Sequence, residues 1–306
     1  MRGLLGSRLA WGAIVAVLLL ALLPLGVSGY VLGLLTLAFY FGVFAMSWDL
    51  LFGFAGEVNF GPTFLVGLGA YGAGILNSTS GLPIPVCILF GTVLAVAGGL
   101  LLAVPALWLS GPYFGLTTLV AVLLLQQMVT VFAGLTGGEI GLTIPDVMSI
   151  DDATNYWIAL GFMAVSGAVL FGLSRSALGL ILQACGQDPI EAQALGFNVA
   201  KHKVAAFCVS AFFSGLAGAM LVFYLGTASP GTVIDIAVGV QVIIAAVLGG
   251  RRTILGAAVG AAVLIIAGEL LRPLGQLSTF IVSAVALLAI LFLPAGLLGT
   301  LLRGRA

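Results

Sequence analysis

Apolar runs long enough to cross a bilayer succeed one another along almost the whole of this chain. In hydrocarbon every backbone N–H and C=O must be paired within its own segment, so a run of about 20 apolar residues crosses as a helix. Such runs fall near 9–28, 30–51, 60–77, 84–109, 113–134, 156–173, 204–226, 235–250, 254–271 and 277–298. They predict an all-α fold, a polytopic transmembrane helix bundle of about ten spans forming one transmembrane domain over 1–306. Gly and Pro interrupt the second and third runs. The stretch 53–77 therefore reads either as a broken or re-entrant segment, or as a turn followed by a tightly packed helix. Composition removes the soluble classes: 7% of residues are charged, where a soluble domain carries about 25%. A cytosolic enzyme, a disulfide-built secreted domain, a nucleic-acid binder and a disordered chain are all excluded on this ground.

An even number of spans places both termini on one side, and the basic residues test that placement. Arg2, Arg8, Arg175, Lys201, Lys203, Arg251, Arg252, Arg303 and Arg305 all fall on the side of the termini, and only Arg272 falls opposite. The positive-inside rule makes the first side the cytoplasm. The longest outward loop, near 135–155, carries Glu139, Asp146, Asp151 and Asp152 and no Lys or Arg. Trp11, Trp48, Trp108 and Trp157 lie near expected span ends, where indole rings favour the membrane interface. Arg2 and Arg8 ahead of an apolar run also resemble a signal peptide, but no A-x-A site follows, so a retained first helix is expected.

The 44 glycines are about twice the ordinary share. Ser210, Ser214 and Gly218, and again Gly256 and Gly260, recur at four-residue spacing, the small-xxx-small pattern of close helix packing. Gly53 to Gly74 is different, because its glycines surround Glu57, Asn59, Phe60 and Pro62. Intramembrane polar groups mark functional sites by default, so Glu57, Asn59 and Phe60, with Gln126 and Gln127 of the fifth run, are candidates for a translocation path. Asp49, Asp235 and Glu269 lie near span ends, where water reaches them, and read as capping or interfacial groups. His202, between Lys201 and Lys203, reads as a surface residue. Cys87, Cys185 and Cys208 lack metal-ligand spacing, and no His/Asp, Ser/His or phosphate-loop pattern is present. No cofactor, no metal site and no enzymatic activity are expected.

The most informative polar segment is 174–203, placed as a cytoplasmic loop. Asp188 suits an N-cap, Pro189 the first helical position, Glu191 the third position of a capping box, and Gly196 a left-handed close. A helix of about two turns over 188–196 follows, too short to persist unless something packs on it. By pattern alone it is either a connector on the membrane surface or a docking helix.

The run GQDPIEAQALGFNVAKHKVAAFCVSAFFSGLAGAM, within Gly179–Met220, resembles the permeases of branched-chain amino acid ABC importers, the LivM/LivH type. DLLFGFAGEVNFGPTFLVGLGAYGAGIL at 49–76, GPYFGLTTL at 111–119, TGGEIGL at 136–142, VLGGRRTILGAAVGAAVL at 247–264 and LPAGLLG at 293–299 are similar to further blocks of that family, in its order. The resemblance implies a membrane-spanning subunit of an ATP-driven importer for branched-chain or related small amino acids. It also implies cytoplasmic ATP-binding subunits, a second permease subunit (a heterodimer), a substrate-binding protein on the outer side, and membrane lipid around the bundle. Asp188, Pro189, Glu191, Ala192, Leu195, Gly196 and Phe197 would then form the helix that couples to the ATPase. Alternatives are a permease for urea, short amides or another small acid, or an ion-coupled secondary transporter. The last needs ionisable groups deep in the bundle, and this chain is nearly bare of them.

Overall fold

Pro and Gly punctuate the chain where its long apolar helices begin and end. The structure is a computed structural model that describes residues 2–106, 112–275, 277, 280, 281, 284, 287 and 296–303. Helix α1 spans Arg2–Ala21 and α2 spans Gly29–Asp49, and α2 runs on into a π turn at Leu50–Phe54. Then follow α3 (Pro62–Ser80), α4 (Ile84–Ala106), α5 (Pro112–Val131), the short α6 (Ala133–Thr136) and α7 (Asp152–Arg175). The short helices α8 (Ala177–Gln187) and α9 (Pro189–Ala194) precede α10 (Val199–Leu225), the one-turn α11 (Pro230–Val233), α12 (Ile236–Gly249) and α13 (Leu255–Leu271). A last helix covers Gly296–Arg303.

Seven helical stretches among the described residues are long and apolar enough to cross a membrane: Gly29–Phe54, Ile84–Val104, Tyr113–Val131, Asp152–Arg175, Val199–Leu225, Pro230–Gly249 and Leu255–Leu274. The runs expected at 9–28 and 60–77 correspond to α1 and α3, and the run expected at 277–298 lies largely outside the described residues, as does Trp108. The helix α3 itself is uninterrupted. Its 19 residues span about 28 Å at 1.5 Å per residue, and the break in the Gly-rich stretch is the non-helical segment 55–61 ahead of it.

Two helices occupy the middle. The Val199–Leu225 stretch is 72% buried, against 22% for Leu255–Leu274. One side of α10 lies on α3 and α4, which also pack on each other, and α2 packs against α7, α10, α12 and α13. Glycine makes the first of these crossings possible. A Cβ on Gly69 would strike the Gly215 carbonyl, one on Gly215 the Ala95 methyl, and one on Gly91 the Gly69 carbonyl. Backbones at such separation gain dispersion contacts that no larger residue permits.

The residues singled out for spacing lie at these crossings. Ser210 and Ser214 are buried, Ser214 Oγ lies 2.7 Å from Ser47 Oγ of α2, and a Cβ on Gly218 would meet the Val66 backbone. Gly256 and Gly260 face the carbonyls of Gly249 and Ala245 across the α12–α13 hairpin.

At one end of the bundle, strand β1 (Leu142–Thr143) pairs antiparallel with β2 (Thr227–Ala228), Leu142 opposite Ala228. Asn77 Nδ2 donates to Asp146 Oδ2 at 2.8 Å, pinning the acidic loop to the end of α3. Asp151 caps α7 by accepting from the Thr154 amide at 2.9 Å.

Candidate functional site

At the opposite end, three segments that are remote in sequence meet: 49–61, the α8–α9 region, and the 250–254 turn. Locally, α9 forms as its residues dictate. Asp188 Oδ1 accepts from the amides of Ile190 at 2.9 Å and Glu191 at 3.0 Å, and Gly196 turns the chain at φ +90°. Only half of the expected capping box forms, because the Asp188 N–H donates to the Ala184 carbonyl that closes α8. Pro189 occupies the first turn. The helix is short, six residues, and a small apolar cluster supplies what it cannot supply alone. Ala192 is buried with Cys185 and Val199, and Ile181 and Phe197 pack on the three. Ile190 and Leu195 point away, 80% and 75% exposed. Burial raises the Cys185 thiol above its ordinary value, which keeps it protonated.

Phe54 to Glu57 sit on this platform. A Cβ on Gly56, whose φ is +74°, would stand 2.7 Å from the Gly186 carbonyl, and one on Gly186 would meet the backbone of Phe54 and Ala55. Glu57 forms an ion pair with Lys203 of α10, the two side chains 13% and 15% exposed. The carboxylate singled out as a path residue is thus engaged at the end of the bundle by a lysine that the sequence marked only as a topology signal.

Asn59 and Phe60 have different surroundings. The Trp48 indole N–H donates to the Asn59 carbonyl at 2.7 Å, Asn59 Oδ1 accepts from the Gly61 amide at 2.8 Å, and the Phe60 amide donates to Thr118 Oγ1 at 3.0 Å. Asn59 is buried, while Phe60 is 45% exposed and covers Gly115 of α5. Trp48 lies at the end of α2, as expected, but within the protein. It is buried, stacked on Phe52 at 4.7 Å, and ties the end of α2 to the 55–61 turn.

Gln126 reaches the Ile234 carbonyl at 3.5 Å, and Gln127 is exposed on the next position of α5. They lie eight and nine residues beyond Thr118, about 12–14 Å along the helix. The five path candidates thus fall into three groups: Glu57 with Lys203, Asn59 and Phe60 on Trp48 and Thr118, and the two glutamines further along α5.

Asp49 departs from expectation in one respect. It caps, but no water reaches it, since its side chain is fully buried. Its two oxygens accept from the Arg252 and Ile254 amides, each at 3.0 Å, and Arg252 Nε donates to the Gly53 carbonyl at 2.6 Å. Arg252 and Ile254 have φ of +64° and +49°, a backbone that L residues adopt only when their surroundings hold it. Burial and the neighbouring Arg251 hold the Arg252 guanidinium below its usual pKa, and Asp49 opposes them. Asp235 caps α12 through the Ala237 amide at 2.7 Å. Glu269 accepts from Tyr30 and, at 3.1 Å, from Arg272. His202 Nδ1 lies 2.7 Å from the Asn198 carbonyl.

Sequence spacing had no access to Lys203, Gly186 and Arg252 as partners, because each meets its counterpart across more than a hundred residues. The one local hint is the density of glycine beside charge at 53–57.

Residues 30–294 match the family described as the branched-chain amino acid transport system permease component. The high-affinity branched-chain amino acid transport system permease protein LivM of Escherichia coli (strain K12) is 27% identical over 320 residues, covering 93% of this chain and 74% of that protein. LivH of the same strain is 32% identical over 147 residues, 47% of this chain and 46% of that one. The fold is shared with a metal-chelate-type ABC transporter solved in an inward-facing conformation, at TM-score 0.56 and 17% identity over 94% of this chain and all of that one. A family model matched across most of the chain and seven helical stretches among the described residues that are long and apolar enough to cross a membrane lead to one conclusion: this chain is a multi-pass inner-membrane protein that belongs to the branched-chain amino acid transport system permease family.

Proposed function

We propose that the chain is the membrane-spanning subunit of an ATP-driven importer that moves branched-chain or related small amino acids into the cell. Both termini, the 174–203 segment and the Lys203 end of the bundle face the cytoplasm in this reading, and a tenth span falls at 277–298. The observation that carries it is the build of α9. A six-residue helix held from behind by Ala192 presents Ile190 and Leu195 outward beside Asp188 and Glu191. Exposed apolar side chains on a fixed short helix suit a cleft in a partner protein, and an ATP-binding subunit is the partner that the family implies. The chain performs no hydrolysis itself in this scheme. A second permease subunit completes the pathway, and a binding protein delivers substrate at the acidic end. Specificity then rests largely with that binding protein.

The test is purification in mild detergent with ATP-binding subunits co-expressed from the same source, followed by uptake into proteoliposomes supplied with the binding protein. Recovery of the ATPase and ATP-dependent accumulation of leucine, isoleucine or valine support the reading. A chain that recovers no ATPase overturns it. Accumulation of urea or a short amide instead corrects the substrate alone.

A further inference from the structure

Two rigid arms lead away from α9, and both end on residues 54–57. The first runs through α10. Val199 packs on Ala192, and Lys203, one turn further along the same face, pairs with Glu57. The second runs through α8. Cys185 packs on Ala192, and its neighbour Gly186 lies backbone to backbone against Phe54, Ala55 and Gly56. From there Gly53 and Asp49 hold the π turn to Arg252 and Ile254, and so to α12 and α13.

From this convergence we propose that the Glu57–Lys203 pair is a positioning contact, through which displacement of α9 reaches the α2–α3 junction and, beyond it, the α12–α13 turn. The inference rests on the function proposed above. Gly186 and Gly56 meet through backbone alone, and such a contact resists compression steeply while only dispersion opposes its separation. The ion pair resists separation. A push on α9 is therefore carried mainly by the backbone contact and a pull mainly by the ion pair, so the return stroke depends most on the charges. A sheltered pair suits this task, since separating it leaves two charges without partners in a place that water reaches poorly.

The test uses the reconstituted complex and reads substrate transported per ATP hydrolysed. Glu57→Gln and Lys203→Gln are expected to keep the ATPase bound and hydrolysing near the wild-type rate, while transport per ATP falls about tenfold, within the usual range for coupling between two sites. The exchanged pair, Glu57→Lys with Lys203→Glu, is expected to recover most of that loss. A merely structural role would lower assembly, hydrolysis and transport together, and that result overturns the proposal. Single variants with wild-type transport per ATP overturn it too, as does an exchanged pair that recovers nothing. A wild-type chain that binds no ATPase overturns the functional reading instead, and so separates the two failures.

Discussion

Asp49 Oδ2 accepts the amide of Ile254 at 3.0 Å, across 205 positions of sequence, while its other oxygen accepts that of Arg252. One buried carboxylate thus closes a turn in which two L residues hold left-handed backbone. Hydrogen bonds to a charged group contribute about 1.5–3 kcal/mol each. Asp49→Ala is therefore expected to destabilise the protein by about 3 kcal/mol, read as a lower melting temperature in detergent. Asp49→Asn, which keeps one acceptor, is expected to lose less. Equal melting of Asp49→Ala and wild type would remove the turn-closing role.

The crossing of α3, α4 and α10 is expected to reject added volume. Gly69→Val and Gly215→Val each drive a side chain into backbone or a packed methyl, at a cost of about 1–3 kcal/mol or more. Gly161→Ala and Gly172→Ala on α7 meet nothing within 4 Å and are expected to melt at or above the wild-type temperature. The contrast between the two pairs is the measurement. A uniform response would show that helix propensity, rather than proximity, governs these positions.

Removing the cap of α9 is expected to loosen that helix alone. Asp188→Ala strips the acceptor from the Ile190 and Glu191 amides, a change that costs about 1 kcal/mol at a typical N-cap. Hydrogen exchange at those two amides should quicken several-fold, with α10 unaffected. Gly196→Val strains a left-handed position and should act in the same direction, whereas Gly196→Asn should be tolerated. Unchanged exchange in Asp188→Ala would mean that the Ala192 cluster holds the helix without its cap.

The turn at Asp151 carries a pH dependence whose sign is fixed. Hydrogen bonds from the Thr154 side chain and amide hold the Asp151 carboxyl below the usual carboxylate range. A folded-state pKa below the unfolded one means that the cap contributes above the unfolded value and is lost as pH falls through the folded value. Protection of the amides at 152–155, taken relative to their intrinsic exchange rates, should therefore fall on acidification in the wild type, and Asp151→Asn should abolish that response. A response that persists in Asp151→Asn would assign it elsewhere.

Gln127 offers a reading of the path. In a background without Cys87, Cys185 and Cys208, Gln127→Cys is expected to react with a charged, membrane-impermeant thiol reagent. Val93→Cys on α4, exposed but surrounded by apolar neighbours, should not react. Protection of both positions would place the exposed face of α5 against lipid.

The features legible in the sequence are those that a single helix can encode. The long apolar runs, the Asp188 cap with Pro189 and Gly196, and the four-residue spacing of Gly256 and Gly260 all arise from neighbours three or four positions apart. The junction is built from contacts of another kind. Glu57 with Lys203, Gly56 with Gly186 and Asp49 with Ile254 join distant segments, and no local period foretells them. Trp48 shows the same limit. Its place at a helix end suggests the interface, and only the neighbouring turn reveals an indole enclosed by protein.

The helix α3 is long enough to cross the membrane yet stands outside the seven stretches apolar enough to do so on composition. Its glycines, which let α4 and α10 approach, also leave it little greasy surface of its own. During synthesis α3 leaves the ribosome long before α10, since the whole of 81–198 must be made in between. Until α10 is made, α4, its immediate successor, is the one of these two packing partners that α3 can meet. The close packing that buries α3 between α4 and α10 and the low hydropathy that sets it apart from the seven stretches thus have one origin, its glycines.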